Sequence, residues 1–289
     1  MLNFTERVRR EGTGLRGVGG ALDFGRTTVS KLCAELTTYV VGGNNGRHVA
    51  NDCLQKPLSL KPASLVQISV IIPTLNEATN IEAALQSTQD AGQVQTIVVD
   101  GGSSDDTLAK SAAADIVLSV APGRGGQQNA GAAVATGEIL LFLHADCRLE
   151  PGCLAAARAA CAETDCVGGC FRQQIGASGL RYRALEWGNA LRVRSLRLAY
   201  GDQGIFVKAN VFRRLGGFPP LKLMEDLFLM KQLRYEGRFV LLDQKIRVSA
   251  RRWQQRGVVR QTATNWMLVV LAQCGVAPER LVAFYDNQR

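Results

Sequence analysis

Apolar positions are irregular up to residue 66, and the pattern changes abruptly at Gln67. Ile68-Ser-Val-Ile-Ile-Pro73 is an apolar run of strand length, and Gln95–Asp100, Asp115–Val120 and Glu138–Leu143 repeat it. Helical segments fall between these runs. Asn76 is placed to cap one that reaches about Leu85, with Glu77 and Asn80 in its first turn. Ser103-Ser-Asp-Asp-Thr107 opens a second, with Asp105 or Ser103 as its cap, and Pro122-Gly-Arg-Gly-Gly126 leads to a small-residue helix over Ala130–Ala135. Continuously apolar strands alternating with helices predict an α/β fold, a mostly parallel sheet flanked by helices on both faces. After Pro151 the pattern is mixed: a helix over Leu154–Ala160, a strand over Cys166–Arg172, an Arg-studded amphipathic helix over Leu180–Leu198, a strand over Gly204–Lys208, and a helix over Glu225–Arg234. From about Val258 the C-terminal part is helical.

Residues 1–66 read as a glycine-rich N-terminal appendage, partly disordered, ending in a linker marked by Lys56-Pro57 and Lys61-Pro62. Glu6, Glu11 and Asp23 count against an organelle-targeting segment there. Residues 67–289 form the main domain. The longest apolar run there, Trp266–Ala272, is far short of the roughly 20 residues of a membrane span. A transmembrane segment is therefore not expected, while the basic composition leaves room for peripheral membrane contact. The net charge of +9 favours acidic or phosphate-bearing partners. Aromatic residues make up only 6%, too few for a base-stacking surface, so nucleic acid is disfavoured. Eight cysteines without a C-x-x-C pair, and only two histidines, argue for reduced thiols in a cytoplasmic protein rather than a structural zinc site.

In an open parallel sheet, ligands bind beyond the carboxyl ends of the strands. Thr74, Asn76 and Glu77, then Asp100, Arg124, and His144 with Asp146 fall there. The first turn, Pro73-Thr-Leu-Asn-Glu77, has no glycine, so a dinucleotide fingerprint and a P-loop are both disfavoured. Asp146 reads equally as a ligand for a divalent cation and as a turn cap before Pro151. His144 is a second candidate ligand, suited to Mn²⁺ better than Mg²⁺, with a structural role as the alternative. Glu225-Asp226 at a helix start reads as a general base or as a dipole-complementing pair. Arg251-Arg-Trp253 with Arg256 reads as a diphosphate clamp or as a solvated face.

In this order, Ser69–Glu77, Val98–Thr107, Gly123–Gly131, Phe142–Asp146, Gly201–Gly204, Met224–Asp226 and Arg251–Trp253 resemble glycosyltransferase family 2, inverting enzymes with the A-type (GT-A) nucleotide-sugar fold. The spelling Phe-Leu-His-Ala-Asp with Gly-Asp-Gln-Gly-Ile-Phe-Val is similar to a bacterial subgroup associated with radical-SAM and selenium-domain genes or with arsenosugar biosynthesis. The resemblance implies that Pro73, Leu75 and Glu77 line the nucleoside pocket and that Asp100 reads the base. It implies that Asp146 is the surviving acid of the family's Asp-x-Asp and binds a divalent cation, Mn²⁺ or Mg²⁺. It makes Asp226 the catalytic base and sets Arg252 and Trp253 near the acceptor and diphosphate; Glu225, pointing elsewhere on the same helix, is expected to matter less. His144 replaces the first acid of Asp-x-Asp, Gly101 replaces the usual second acid after Asp100, and Ser249 stands where the fuller Gln-x-x-Arg-Trp has Gln. The last departure favours a single-addition enzyme over a processive synthase.

The implied reaction moves a sugar from a nucleotide-sugar donor to a hydroxyl of a small-molecule or lipid-linked acceptor by one inverting displacement. A nucleotidyltransferase, kept open by Gly123-Arg-Gly-Gly126, and a non-catalytic nucleotide-sugar-binding protein are the alternatives.

Overall fold

A computed structural model describes residues 66–89, 92–221, 223–276 and 281. The expected appendage lies outside these residues except for Val66, as do Cys33 and Cys53.

The first half is the predicted βα alternation: β1 (Ile68–Thr74), α1 (Ile81–Ser87), β2 (Val94–Asp100), α2 (Thr107–Lys110), β3 (Ile116–Ser119), α3 (Arg124–Val134) and β4 (Ile139–Phe142). β5 (Cys147–Leu149), α4 (Cys153–Ala162), β6 (Cys166–Ile175), α5 (Leu180–Leu196), a 3₁₀ turn at Gly201–Gln203, β7 (Ile205–Lys208) and α6 (Ala209–Arg214) follow. α7 (Glu225–Glu236), β8 (Arg238–Val248), α8 (Arg251–Arg256) and α9 (Val258–Gln273) complete the described chain.

The eight strands form one sheet in the order β3-β2-β1-β4-β7-β6-β8-β5. β3, β2, β1 and β4 are parallel, β7 runs antiparallel to both β4 and β6, and β8 returns parallel to β6. Successive strand residues feed opposite faces. Ile68, Val70, Ile72 and Leu141 pack on one side, and Ile71, Val99, Leu140 and Phe142 on the other. This burial on both faces explains the unbroken apolar runs.

Three expectations need correction. Asn76 does not cap α1, which begins at Ile81. Its backbone has φ 55°, and its Oδ1 accepts the Ser104 N–H at 2.9 Å, tying the loop after β1 to the loop after β2. Asp105 does hold the start of α2, accepting the Thr107 N–H at 3.0 Å. Second, α3 starts at Arg124, well before Ala130. Its small residues let it lie tight on the sheet: a Cβ on Gly131 would stand 2.5 Å from Ile71 Cγ2. Third, α5 is not a simple amphipathic helix. Leu180 and Trp187 are exposed, while Arg192 is buried and bonded to the Leu198 carbonyl, Asn189 Oδ1 and Gln203 Oε1. The apolar pattern predicts no strand over β8, which positions much of the site.

Candidate active site

β1 and β4 lie side by side at the centre of the sheet, with β2 and β3 beyond β1, so the strand order reverses between β1 and β4. A crevice opens at the carboxyl ends of such a pair. Beyond β4 the chain turns tightly, the Cys147 N–H meeting the His144 carbonyl at 3.0 Å, which leaves His144 and Asp146 at the crevice. β5 then pairs antiparallel with the end of β8, Cys147 opposite Val248. The Ser249 N–H donates to the Asp146 carbonyl at 3.3 Å, so the exit of β8 delivers Arg251, Arg252 and Trp253 beside Asp146.

The result is a cavity of about 150 Å³. Of the sequence candidates, Pro73, Glu77, Arg124, His144, Asp146, Asp226, Arg252 and Trp253 line it. Leu75 and Asp100 are not in its lining. The Asp100 carboxylate is buried and accepts the Gly102 and Ser103 N–H groups at 2.8 and 2.9 Å, along with the Ser103 and Thr74 hydroxyls. Burial opposes its charge, but these donors outweigh burial and hold its carboxyl below the usual range. In this geometry Asp100 organises its own turn.

Asp226 reaches the cavity through a backbone turn. Met224 has φ 66°, a left-handed conformation uncommon for a side chain of its size, and α7 starts immediately after it. The two acids that follow diverge. Glu225 is 1% exposed and ion-pairs with Arg124. Asp226 stays half-buried on the cavity wall, accepting the Gly201 N–H on Oδ2 and the Leu227 N–H on Oδ1, both at 2.8 Å. Burial, then the neighbouring Glu225 charge, push the Asp226 carboxyl up, while Arg124 and the two N–H donors pull it down; the net direction is up. Glu225 anchors Arg124, and its charge adds to burial in raising the Asp226 carboxyl.

A metal can be fitted here from the side chains themselves. One ligand atom each from His144, Asp146 and Cys147 lie within 4.8 Å of one another. Cys147 is fully buried and burial pushes its thiol well up, so the donors offered to the cavity are the His144 imidazole and the Asp146 carboxylate, a pair that suits Mn²⁺ better than Mg²⁺. Gly201 holds the imidazole from the far side, since a Cβ there would stand 2.6 Å from His144 Nε2 and 3.5 Å from Asp226 Oδ2.

Tyr200, Asp202, Gln261 and Asn265 also line the cavity, although nothing in their sequence pattern gives them a role. Asp202 is the most telling of these. Burial pushes its carboxyl up, against the opposing charge of Arg192 and a bond from Gln173. Arg192 also stacks 3.5 Å from the centre of the Tyr200 ring, fixing the whole Tyr200–Gln203 turn. The signal for this turn was present as Gly201-Asp-Gln-Gly204. Only the fold shows that it faces His144.

Residues 69–216 match the model of the family described as Glycosyl transferase family 2. A PGL/p-HBAD biosynthesis glycosyltransferase of Mycobacterium tuberculosis is 32% identical over 169 residues, which cover 52% of this chain and 62% of that protein. The chain thus spans less than two thirds of the length of the curated relatives it matches. Among solved structures, glucosyl-3-phosphoglycerate synthase from M. tuberculosis, in complex with Mn²⁺, UDP and glucosyl-3-phosphoglycerate, matches with TM-score 0.55 at 22% identity, covering 75% of this chain and 84% of that one. A mannosyltransferase from Pyrobaculum calidifontis, in complex with GDP-Man and Mn²⁺, matches with TM-score 0.54 at 23% identity over 67% of this chain and 60% of that one. These neighbours share the fold of this chain.

Proposed function

Because the chain belongs to glycosyltransferase family 2, we propose that it transfers a sugar from a nucleotide-sugar to an acceptor hydroxyl with inversion at the anomeric carbon. The observation that carries this reading is convergence. Glu77 after β1, Asp146 after β4, Asp226 at the start of α7, and Arg252 with Trp253 after β8 all line one cavity.

The nucleoside lies toward Pro73 and Glu77. Glu77 is kept in place by the Asn80 amide at 2.7 Å and by Arg251 at 3.4 Å. Arg252 and Arg251 face the diphosphate, where guanidinium matches phosphate oxygens. A divalent cation bound at His144 and Asp146 would supply charge neutralisation of the departing nucleoside diphosphate. Asp226, ionised, accepts the proton of the acceptor hydroxyl as its oxygen attacks the anomeric carbon in line. The bond to the diphosphate breaks on the opposite face, and one displacement inverts the centre. Trp253 walls the sugar side of the cavity.

Same-fold neighbours in complex with GDP-Man and Mn²⁺, with UDP-GlcNAc, and with UDP and Mn²⁺ support this donor class for the present chain. The spelling of Phe142–Asp146 and Gly201–Val207 supports the arsenosugar-type subgroup. Six described cysteines carry free thiols, which suits a cytoplasmic setting.

A thermal-shift screen of UDP- and GDP-sugars with Mn²⁺ tests donor binding, because a ligand of the native state raises the melting temperature. Asp146→Ala should abolish the Mn²⁺-dependent part of that shift and change little in EDTA. Equal donor affinity of the variant in Mn²⁺ removes Asp146 from the site. Release of pyrophosphate instead of a nucleoside diphosphate sinks the transfer reading.

A further inference from the structure

The run from Ser249 to Val276 contains no Asp or Glu and four arginines: Arg251 and Arg252 belong to the cavity, where Arg251 meets Glu77, while Arg256 and Arg260 are exposed beyond it. It forms α8 and α9. Helix α9 buries Gln261, Leu268 and Ala272 on one side. Its opposite face carries Val259 (73% exposed), Trp266 (53%), Met267 and Val270 (51%), spaced i, i+7, i+8 and i+11. A helix face turned to water is normally polar; this one is apolar, bears a tryptophan, and is flanked by arginine alone.

From this juxtaposition we infer that α8 and α9 dock on an anionic lipid surface. A helix with exposed aliphatic and Trp side chains next to basic residues is the chemistry that lies in a bilayer interface. Charge selects the occupant. A second copy of this face would bring the exposed Arg256 and Arg260 against their own counterparts, with no acid in the run to offset them, whereas anionic headgroups complement both. The helix lies flat rather than spanning, because Gln261 and Asn265 face the cavity and no described helix is long and apolar enough to cross a membrane.

The same two helices wall the cavity, with Arg251 and Trp253 from α8 and Asn265 and Leu268 from α9. Docking therefore sets the cavity wall at the lipid boundary, and the acceptor hydroxyl is carried on a lipid. This last corollary rests on the glycosyl-transfer reading; the docking itself does not.

The test uses the full chain and phosphatidylglycerol–phosphatidylcholine vesicles, with pure phosphatidylcholine vesicles beside them. Sedimentation should show at least about tenfold stronger partition onto the anionic vesicles, fading as salt screens the arginines. Brominated lipid should quench the wild-type tryptophan emission, and Trp266→Phe should remove most of that quenching. The double variant Trp266→Glu, Val270→Glu changes two exposed side chains outside the cavity. It should keep the wild-type melting temperature and donor-induced thermal shift while losing vesicle binding about tenfold or more. Absence of wild-type binding to anionic vesicles at low salt overturns the proposal, as does undiminished binding by a folded double variant. A dimer that Trp266→Glu dissociates would also overturn it, by showing a second copy on this face. Vesicle binding without any donor-induced shift would leave docking standing and remove the transfer reading.

Discussion

A carboxylate that is to accept a proton must first lose its own, and Asp226 stands where burial and the Glu225 charge resist that loss. Two consequences follow at this residue. Asp226→Asn keeps the shape and removes the base, so turnover with acceptor should fall about 10²–10⁴-fold, while the donor-induced thermal shift stays near wild type. Near-normal turnover would remove Asp226 from the chemistry. Because its folded carboxyl is raised, its contribution to stability is fully present below the ordinary carboxylate range and is lost as pH rises through the raised value. At neutral pH the Asn variant should therefore melt above the wild type, and at acid pH that advantage should vanish. Glu225→Gln acts in the other direction on ionisation. It removes a repulsive charge, so the acid limb of the kcat/KM profile should move to lower pH. It also strips Arg124 of its buried partner, so stability should drop by about 1–3 kcal/mol in a denaturant titration. An unchanged limb would show that Glu225 does not set the field at Asp226.

Among the elements, those bearing unbroken apolar runs were legible in the sequence, and those placed by tertiary pairing were not. β1, β2 and β4 carry residues buried on both faces and announce themselves, while β3, at the sheet edge, shows as an apolar run although none of its residues is fully buried. In β8, Asp243, Lys245 and Arg247 are exposed and interrupt the buried Ile246 and Val248, because the strand sits next to the sheet edge. β5 has only three residues and no pattern of its own. Yet this pair sets Arg252 and Trp253 beside Asp146, so those side chains were legible and their meeting was not. Asp100 shows the opposite limit: its type and place fitted a ligand contact, while the local N–H and hydroxyl donors that take its oxygens appear only in the folded loop. The Gly201–Gln203 turn gives this scale its prediction. In Gly201→Ala the added methyl collides with the His144 imidazole. Mn²⁺ affinity read by titration calorimetry should weaken about 10–100-fold, as when the support of a metal ligand is disturbed. Unchanged Mn²⁺ affinity in a folded variant would show that Gly201 does not position His144.

For the whole molecule, the strand periodicity that starts at Ile68 predicts that the domain from about residue 67 onward folds alone. A chain beginning near residue 65 should melt cooperatively and keep the donor-induced shift of the full chain. Loss of either would move the boundary upstream. The outline of the sheet bears on how such chains behave in company. Its two flanks are β3, with four residues, and β5, with three. A second polypeptide can extend a sheet only where backbone donors and acceptors stand unclaimed over some length. β5 covers only Ile246–Val248 of the eleven-residue β8, so an intruding strand would meet Arg238–Lys245, and there the exposed charges of Arg238, Asp243 and Lys245 discourage growth strand by strand into aggregates.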